Sequence, residues 1–400
     1  RWRAAASTAG TPPPLTPGPM GKPRPSPRSG GWILRKVFEV ELSSKNGCTE
    51  LALPATRYAL LDAVEKLELR EGERPDWEIL QTPACHNIYP YLDPAGGTLS
   101  ELNALTQRLA QLNEREHAVV EGLAKLAHEQ GERPIALSRL IDLAYSTDCC
   151  HLVEGVVTDA QLGRFCTGNG FVPEAEGLSD KAFELLDFAK IGREFCEAEG
   201  GVFTRVGYVQ RREELKQVYK TLDLTLKKPD YAILAELADG TQVKLPAPLG
   251  ETLADGPVQC VDSAAPGLIG QTAMVSTLDM LARRLTELEL DGELTKYKAV
   301  LAATGCEDIP QALALADELD RYRFDPEPRE PDEVAAGHLK GRLPEEELAA
   351  LLPNVSLYRY GQAVMEQGGG KLTGYGYVQP SIGPSQNMEQ GQESDEMRMM

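Results

Sequence analysis

Residues 192–210, GREFCEAEGGVFTRVGYVQ, and residues 361–379, GQAVMEQGGGKLTGYGYVQ, read as one segment written twice. At a shift of 169, nine of the 19 positions are identical: Gly192/Gly361, Glu197/Glu366, Gly200/Gly369, Gly201/Gly370, Thr204/Thr373, Gly207/Gly376, Tyr208/Tyr377, Val209/Val378 and Gln210/Gln379. Upstream, a shift of 176 lays Leu102, Leu105, Arg108, Leu109 and Leu112 over Leu278, Leu281, Arg284, Leu285 and Leu288. At the start, Glu41-Leu42 answers Glu236-Leu237, and Leu53-Pro54 answers Leu245-Pro246. Any two amphipathic helices can share a leucine spacing. The glycines of the closing segment are more telling, because Gly reaches backbone conformations that other residues avoid. All the matches keep one order, so the chain reads as two diverged copies of one module with insertions between the matching blocks.

Each copy mixes strand and helix signals. Val37–Leu42 alternates polar and apolar residues as a half-buried strand does. Lys45-Asn46-Gly47 is a hairpin turn, and Leu51–Pro54 returns from it. A helix is predicted over residues 58–67. Thr98 and Glu101 have capping-box spacing and open a helix with Leu99, Leu102, Leu105, Leu109 and Leu112 on one face. Further helices are predicted over 114–129, 137–145, 161–166 and 181–194, and a strand or hairpin over 200–209 closes the unit. The order restarts with Tyr231–Leu237, the Asp239-Gly240 turn and Gln242–Pro246. A leucine-faced helix and further helices to residue 322 follow, then a Pro-rich acidic loop over 325–333, a segment over 344–352 and the second close. The expectation is an α+β protein of two elongated tandem modules, each a small, mostly antiparallel sheet with helices. The boundaries are 32–210 for the first module, 211–229 for a charged linker and 230–379 for the second. Residues 1–31, with eight prolines and no hydrophobic period, are predicted to be disordered, as is the tail 380–400.

The net charge of −20 is unevenly spread. Residues 37–210 hold 29 acids and 15 bases, and residues 230–379 hold 25 and 12, while residues 1–36 hold seven bases and no acid. Fields of this sign repel nucleic acid and favour a basic partner surface. No apolar run approaches the roughly 18 residues of a membrane span, and no secretory signal is visible. Eight irregularly spaced cysteines without a Cys-x-x-Cys pair read as reduced thiols of a cytoplasmic protein.

The search for chemistry returns little. Cys149-Cys150-His151 is the densest cluster, but adjacent residues do not chelate one tetrahedral metal, and no second ligand pair lies at zinc spacing. There is no Walker pattern, nucleophile elbow or His-x-x-x-His pair. The sequence therefore asks for no cofactor, no metal and no catalysis. The acids are more informative as a distribution. Glu174, Glu176, Asp180, Glu184, Asp187, Glu194, Glu197 and Glu199 fall within 26 residues that also carry Phe183, Leu185, Leu186, Phe188, Ile191 and Phe195. A packed face would hold these carboxylates in place, as duplex DNA holds phosphates every ~1.7 Å of axis. On composition alone, an ordinary solvated helix face accounts for the same residues.

The segment FELLDFAKIGREF over residues 183–195, followed by Gly200-Gly201-Val202-Phe203, resembles the ArdA antirestriction family. Three other blocks fit in the same order: the strand Val37–Leu42, the Leu99–Leu105 stretch, and Asp148 in a Ser-Thr-Asp-Cys context before Gly170-x-x-Pro173. The resemblance covers about residues 37–209. It implies a non-catalytic, acidic DNA mimic from a bacterial mobile element that occupies the DNA-binding groove of type I restriction–modification enzymes. Such a protein itself binds neither nucleic acid nor membrane and is usually dimeric. By position, the functional stretch would be Phe183–Glu199, centred on Asp187, Arg193 and Glu194. Lys181, Lys190 and Arg193 dilute its charge, and the matching stretch of the second copy, Leu352–Glu366, has few acids. Doubling of the module implies a homodimer or an intrachain pseudo-dimer, the latter packed about a pseudo-twofold. The alternative is an adaptor of a conjugative element that uses the same fold as a scaffold.

Overall fold

The computed structural model describes residues 35–69, 73–93, 96–248 and 254–381; the expectations for 1–31 and for the tail beyond 381 fall outside them. The chain is α+β, with helices packed on four small antiparallel sheets. β1 (Phe38–Ser44) and β2 (Gly47–Leu53) form the expected hairpin, closed at Ser44 and Gly47. α1 (Arg57–Lys66) follows, and β3 (Asp76–Gln81) joins the other edge of β1. α2 (Leu99–Gln111), α3 (Glu114–Glu129) and α4 (Leu137–Ala144) come next. Both capping-box contacts of Thr98 with Glu101 form, at 2.6 and 3.2 Å, and Asn113 with Glu116 repeats them for α3. Leu99, Leu102, Leu105, Leu109 and Leu112 are buried in one core with Phe38, Val40 and Leu42. β4 (Cys150–Glu154), α5 (Asp159–Gly168), α6 (Asp180–Phe183), α7 (Phe188–Glu199), β5 (Val202–Phe203) and β6 (Gly207–Arg211) complete the first half. Its sheets have the orders β2-β1-β3 and β4-β6-β5.

The second half has β7 (Ile233–Glu236), β8 (Gln242–Leu245), β9 (Pro257–Ser263) and β10 (Thr272–Met274), then α8 (Val275–Leu290), α9 (Leu294–Thr304) and α10 (Ile309–Asp317). β11 (Tyr322–Asp325), α11 (Pro331–Lys340), α12 (Glu345–Leu351), α13 (Leu357–Gly368), β12 (Lys371–Thr373) and β13 (Gly376–Pro380) follow. The sheet orders are β10-β9-β7-β8 and β11-β13-β12.

Matching positions carry matching details. Phe38 pairs with Leu53 and Ile233 with Leu245; one residue later the register slips in both sheets, between Glu39 and Val40 and between Leu234 and Ala235. In the first half, Asn103 of α2 accepts from the Ala55 amide at 2.7 Å and donates to the Ala55 carbonyl at 3.1 Å. In the second half the same two backbone groups are served by two side chains. Asp279 accepts from the Ala247 amide at 2.6 Å, and Arg283 donates to the Ala247 carbonyl at 3.0 Å. The hydroxyls of Thr204 and Thr373 donate to the carbonyls of Gly207 and Gly376 at 2.9 and 2.8 Å.

The structure corrects several expectations. The helix predicted over 181–194 is two helices, because the Asp187 side chain accepts from the Lys190 amide and starts α7 afresh. The acidic Pro-rich loop ends early, because Pro331 opens α11, where its missing N–H leaves no helical bond unmade. Residues 212–229 are less a linker than a strap on the first half. Leu215, Tyr219, Leu222 and Leu226 pack on its core, and the Tyr219 hydroxyl donates to Glu101 at 2.6 Å.

The halves meet through α1. Tyr58 lies in the second hydrophobic core and donates to the Tyr231 carbonyl at 2.5 Å. Asp62 is buried and accepts from Lys298 at 2.9 Å and from the Tyr375 hydroxyl at 2.8 Å, while Lys66 sits 2.9 Å from its other oxygen. Burial alone would raise the Asp62 pKa, but Lys298 and Lys66 outweigh it and hold the carboxyl below its ordinary range. Glu65 bonds Thr295 and Lys298, and Glu68 pairs with Arg329. The reciprocal pairing, of the β8–β9 connection on β3, α3 or β5, has no hydrogen bond or ion pair among the described residues. The bonds described between the halves thus centre on α1 of the first half.

Candidate partner-binding surface

The frame of the acidic stretch is a close helix crossing. A side chain at Gly163 of α5 would place its Cβ 1.9 Å from the Phe188 carbonyl oxygen, and one at Gly192 of α7 would meet the Asp159 oxygen at 1.8 Å. Only glycine at both points lets the two backbones touch. Gly200, at φ 67°, ends α7 in the left-handed region and turns the chain into β5.

All eight carboxylates named from the sequence are exposed, on α7 and on the segment that leads into it. Glu174 lies in the short turn Pro173–Ala175 and Glu176 just beyond it; Asp180 opens α6, Glu184 ends it, and Asp187 caps α7. Glu194, Glu197 and Glu199 ride on α7 itself. They are not equally available. Arg164 grips Glu184 with two hydrogen bonds, of 3.1 and 2.6 Å, which draws the Glu184 pKa down. Asp187 is occupied as a cap, Glu199 accepts from Gln210, and Lys190 stands 3.9 Å from Glu194. Glu174, Glu176, Asp180 and Glu197 have no hydrogen-bond or ion-pair partner among the described residues. Glu197 and Glu199 also sit in the last turn of α7, where the helix dipole disfavours a negative charge by a few tenths of a kcal/mol. Their placement is not what helix stability alone would select.

Sequence reasoning missed the apolar floor between these acids. Phe171, 56 % exposed, stacks at 6.2 Å from Phe195 of α7 and 6.4 Å from Phe165 of α5. A slot of about 450 Å³ opens between α7 and the loop Phe171–Glu174. A second hollow of about 400 Å³ shares Phe171, Phe195 and Glu199 with it and ends at Arg211 and Arg212. The available signal was helical spacing: Ile191, Glu194, Phe195 and Ala198 share one face of α7.

The chain matches no protein-family model and no curated protein.

Other chemistry has little footing. Cys149 is buried, and burial pushes the Cys150 thiol up to about 12, so it stays protonated and a poor nucleophile or ligand. No group of three His, Cys, Asp or Glu side chains could hold a metal ion among the described residues. A cleft of about 410 Å³ between the halves is lined by Asp62, Lys66, Lys298 and Tyr375, whose polar groups are already spent on one another. No helix among the described residues is long and apolar enough to cross a membrane.

Proposed function

We propose that this protein acts by binding rather than catalysis, as an acidic stand-in for DNA that blocks the DNA-binding groove of a type I restriction–modification enzyme in the cytoplasm. One observation carries the reading: eight carboxylates within residues 174–199 are all exposed, three of them on α7, whose backbone two facing glycines bring against α5. Exposed, partly unpartnered carboxylates are what a basic groove built for phosphates would accept. The residues that resemble the ArdA family lie in the same stretch, and that resemblance supplies the identity of the target. The matched register slips, backbone-binding side chains and glycines support reading the halves as a duplicated module. The decisive experiment is plating of unmodified phage on restricting and non-restricting strains, with and without the protein. Rescue of plating by the protein, lost on Glu194→Lys with Glu197→Lys, is the expected result. No rescue across several type I systems would sink the reading.

A second reading, an adaptor that uses the fold as a protein-binding scaffold, is favoured by the apolar side chains among the acids. Leu185 is 86 % exposed and Phe171 56 %, which a pure charge mimic does not require.

A further inference from the structure

We infer that the slot between α7 and the Phe171–Glu174 loop is a docking site for a basic segment of a partner protein carrying a large apolar side chain, which inserts between Phe171 and Phe195. The floor and walls are apolar: Phe171, Val172 and Pro173 on one side, Ile191, Phe195 and Ala198 on the other. The charged residues lining the slot are Glu174, Glu194 and Glu199, three carboxylates and no cation. An apolar occupant without positive charge would bury those acids with only Gln210 at Glu199 and the distant Lys190 at Glu194 to offset them. A basic occupant without an apolar side chain would leave the half-exposed Phe171 ring in water. Both costs vanish for a segment with a Trp, Phe or Leu flanked by Lys or Arg.

The slot divides recognition into two parts with different physics. Attraction between exposed charges is screened by salt within about 8–10 Å at ordinary ionic strength. Burial of an aromatic ring against Phe171 and Phe195 is not screened, and salting-out ions strengthen it. A partner held only by phosphate-like charges would therefore be shed by salt, whereas one that fills the slot would be retained longer. The inference rests on the reading that this acidic face binds a basic protein, and it names the side chain that face would take.

The test uses the full chain and two peptides of equal charge, Lys-Lys-Trp-Lys-Lys and Lys-Lys-Ala-Lys-Lys, titrated by NMR or fluorescence at low salt and at high salt. The tryptophan peptide is expected to bind about tenfold tighter or more, from partial burial of the indole, and to keep that preference as salt rises. Ala198→Trp, at an exposed position, fills the slot and should abolish the preference while the alanine peptide still binds. Phe171→Ser, also at an exposed ring, should reduce it, and circular dichroism reports whether either variant is folded. Glu197→Lys, outside the slot, should weaken both peptides alike. Equal affinity for the two peptides, no binding of the tryptophan peptide, or a preference that survives Ala198→Trp would each overturn the inference. Phage plating is read separately. A preference without antirestriction keeps the slot and removes the target, and antirestriction without a preference does the reverse.

Discussion

Lys298 is the residue whose loss should separate the halves most effectively. Its side chain is 5 % exposed and bonds Asp62, 6 % exposed, at 2.9 Å. Replacement by methionine keeps the volume but strands a carboxylate in the seam between α1 and α9. Breaking a buried pair by removing one partner costs about 3–5 kcal/mol. Asp62 would keep Lys66 and the Tyr375 hydroxyl, and Glu65 is exposed enough to be rehydrated, so the low end, about 3 kcal/mol, is expected. Asp62→Leu combined with Lys298→Met should cost less than Lys298→Met alone, because no bare charge remains. The pH dependence has a definite sign. The folded-state pKa of Asp62 is depressed, so its contribution is complete above the unfolded value of about 3.9 and is lost as pH falls through the lower folded value. In Lys298→Met only Lys66 and the Tyr375 hydroxyl oppose the effect of burial, so this contribution shrinks or changes sign. Urea denaturation should therefore show a gap between wild type and Lys298→Met that is steady from pH 8 to 5 and narrows below about 4. A loss under about 1 kcal/mol at pH 7, or a gap that widens in acid, would refute the reasoning.

Three further outcomes are open to the same assay. Asn103→Asp removes the donor to the Ala55 carbonyl and should cost about 1–3 kcal/mol; adding Gln107→Arg, which copies the Asp279–Arg283 arrangement of the other half, should recover much of it. Failure of that rescue would mean the two arrangements are not interchangeable. Gly192→Ala and Gly361→Ala each drive a methyl against a carbonyl oxygen, of Asp159 at 1.8 Å and Pro331 at 1.7 Å, and each should cost about 3 kcal/mol; wild-type stability of either would show that the crossing can yield. Thr98→Ala removes the α2 cap and should cost about 1 kcal/mol, with Glu101→Ala on top of it adding little beyond the loss of the Tyr219 contact.

What could be read in advance was local. The β1–β2 hairpin, the capping box at Thr98 and the leucine face of α2 announce themselves within a few residues, and the structure has them where expected. β3 was missed because its strand pairs with β1 some 35 residues back and no tight turn marks the return. The break between α6 and α7 hangs on one aspartate acting as a cap rather than as a helical residue. The acids of the candidate surface were legible because exposure follows from charge. The slot was not, since Phe171 and Phe195 meet only through the contact of Gly163 with Gly192, which spacing does not reveal. Likewise, α1 reads as an ordinary amphipathic helix, and nothing near Asp62 names a lysine 236 residues away.

The role of α1 also shows how unequally the two halves contribute to the seam between them. Between β2 and β3 the first half has 22 residues, enough for α1 and its connections; between β8 and β9 the second half has eleven, too few for a ten-residue helix with its turns. The second half thus lacks the length to offer a helix like α1 in return, and the described contacts of the seam depend on that single helix.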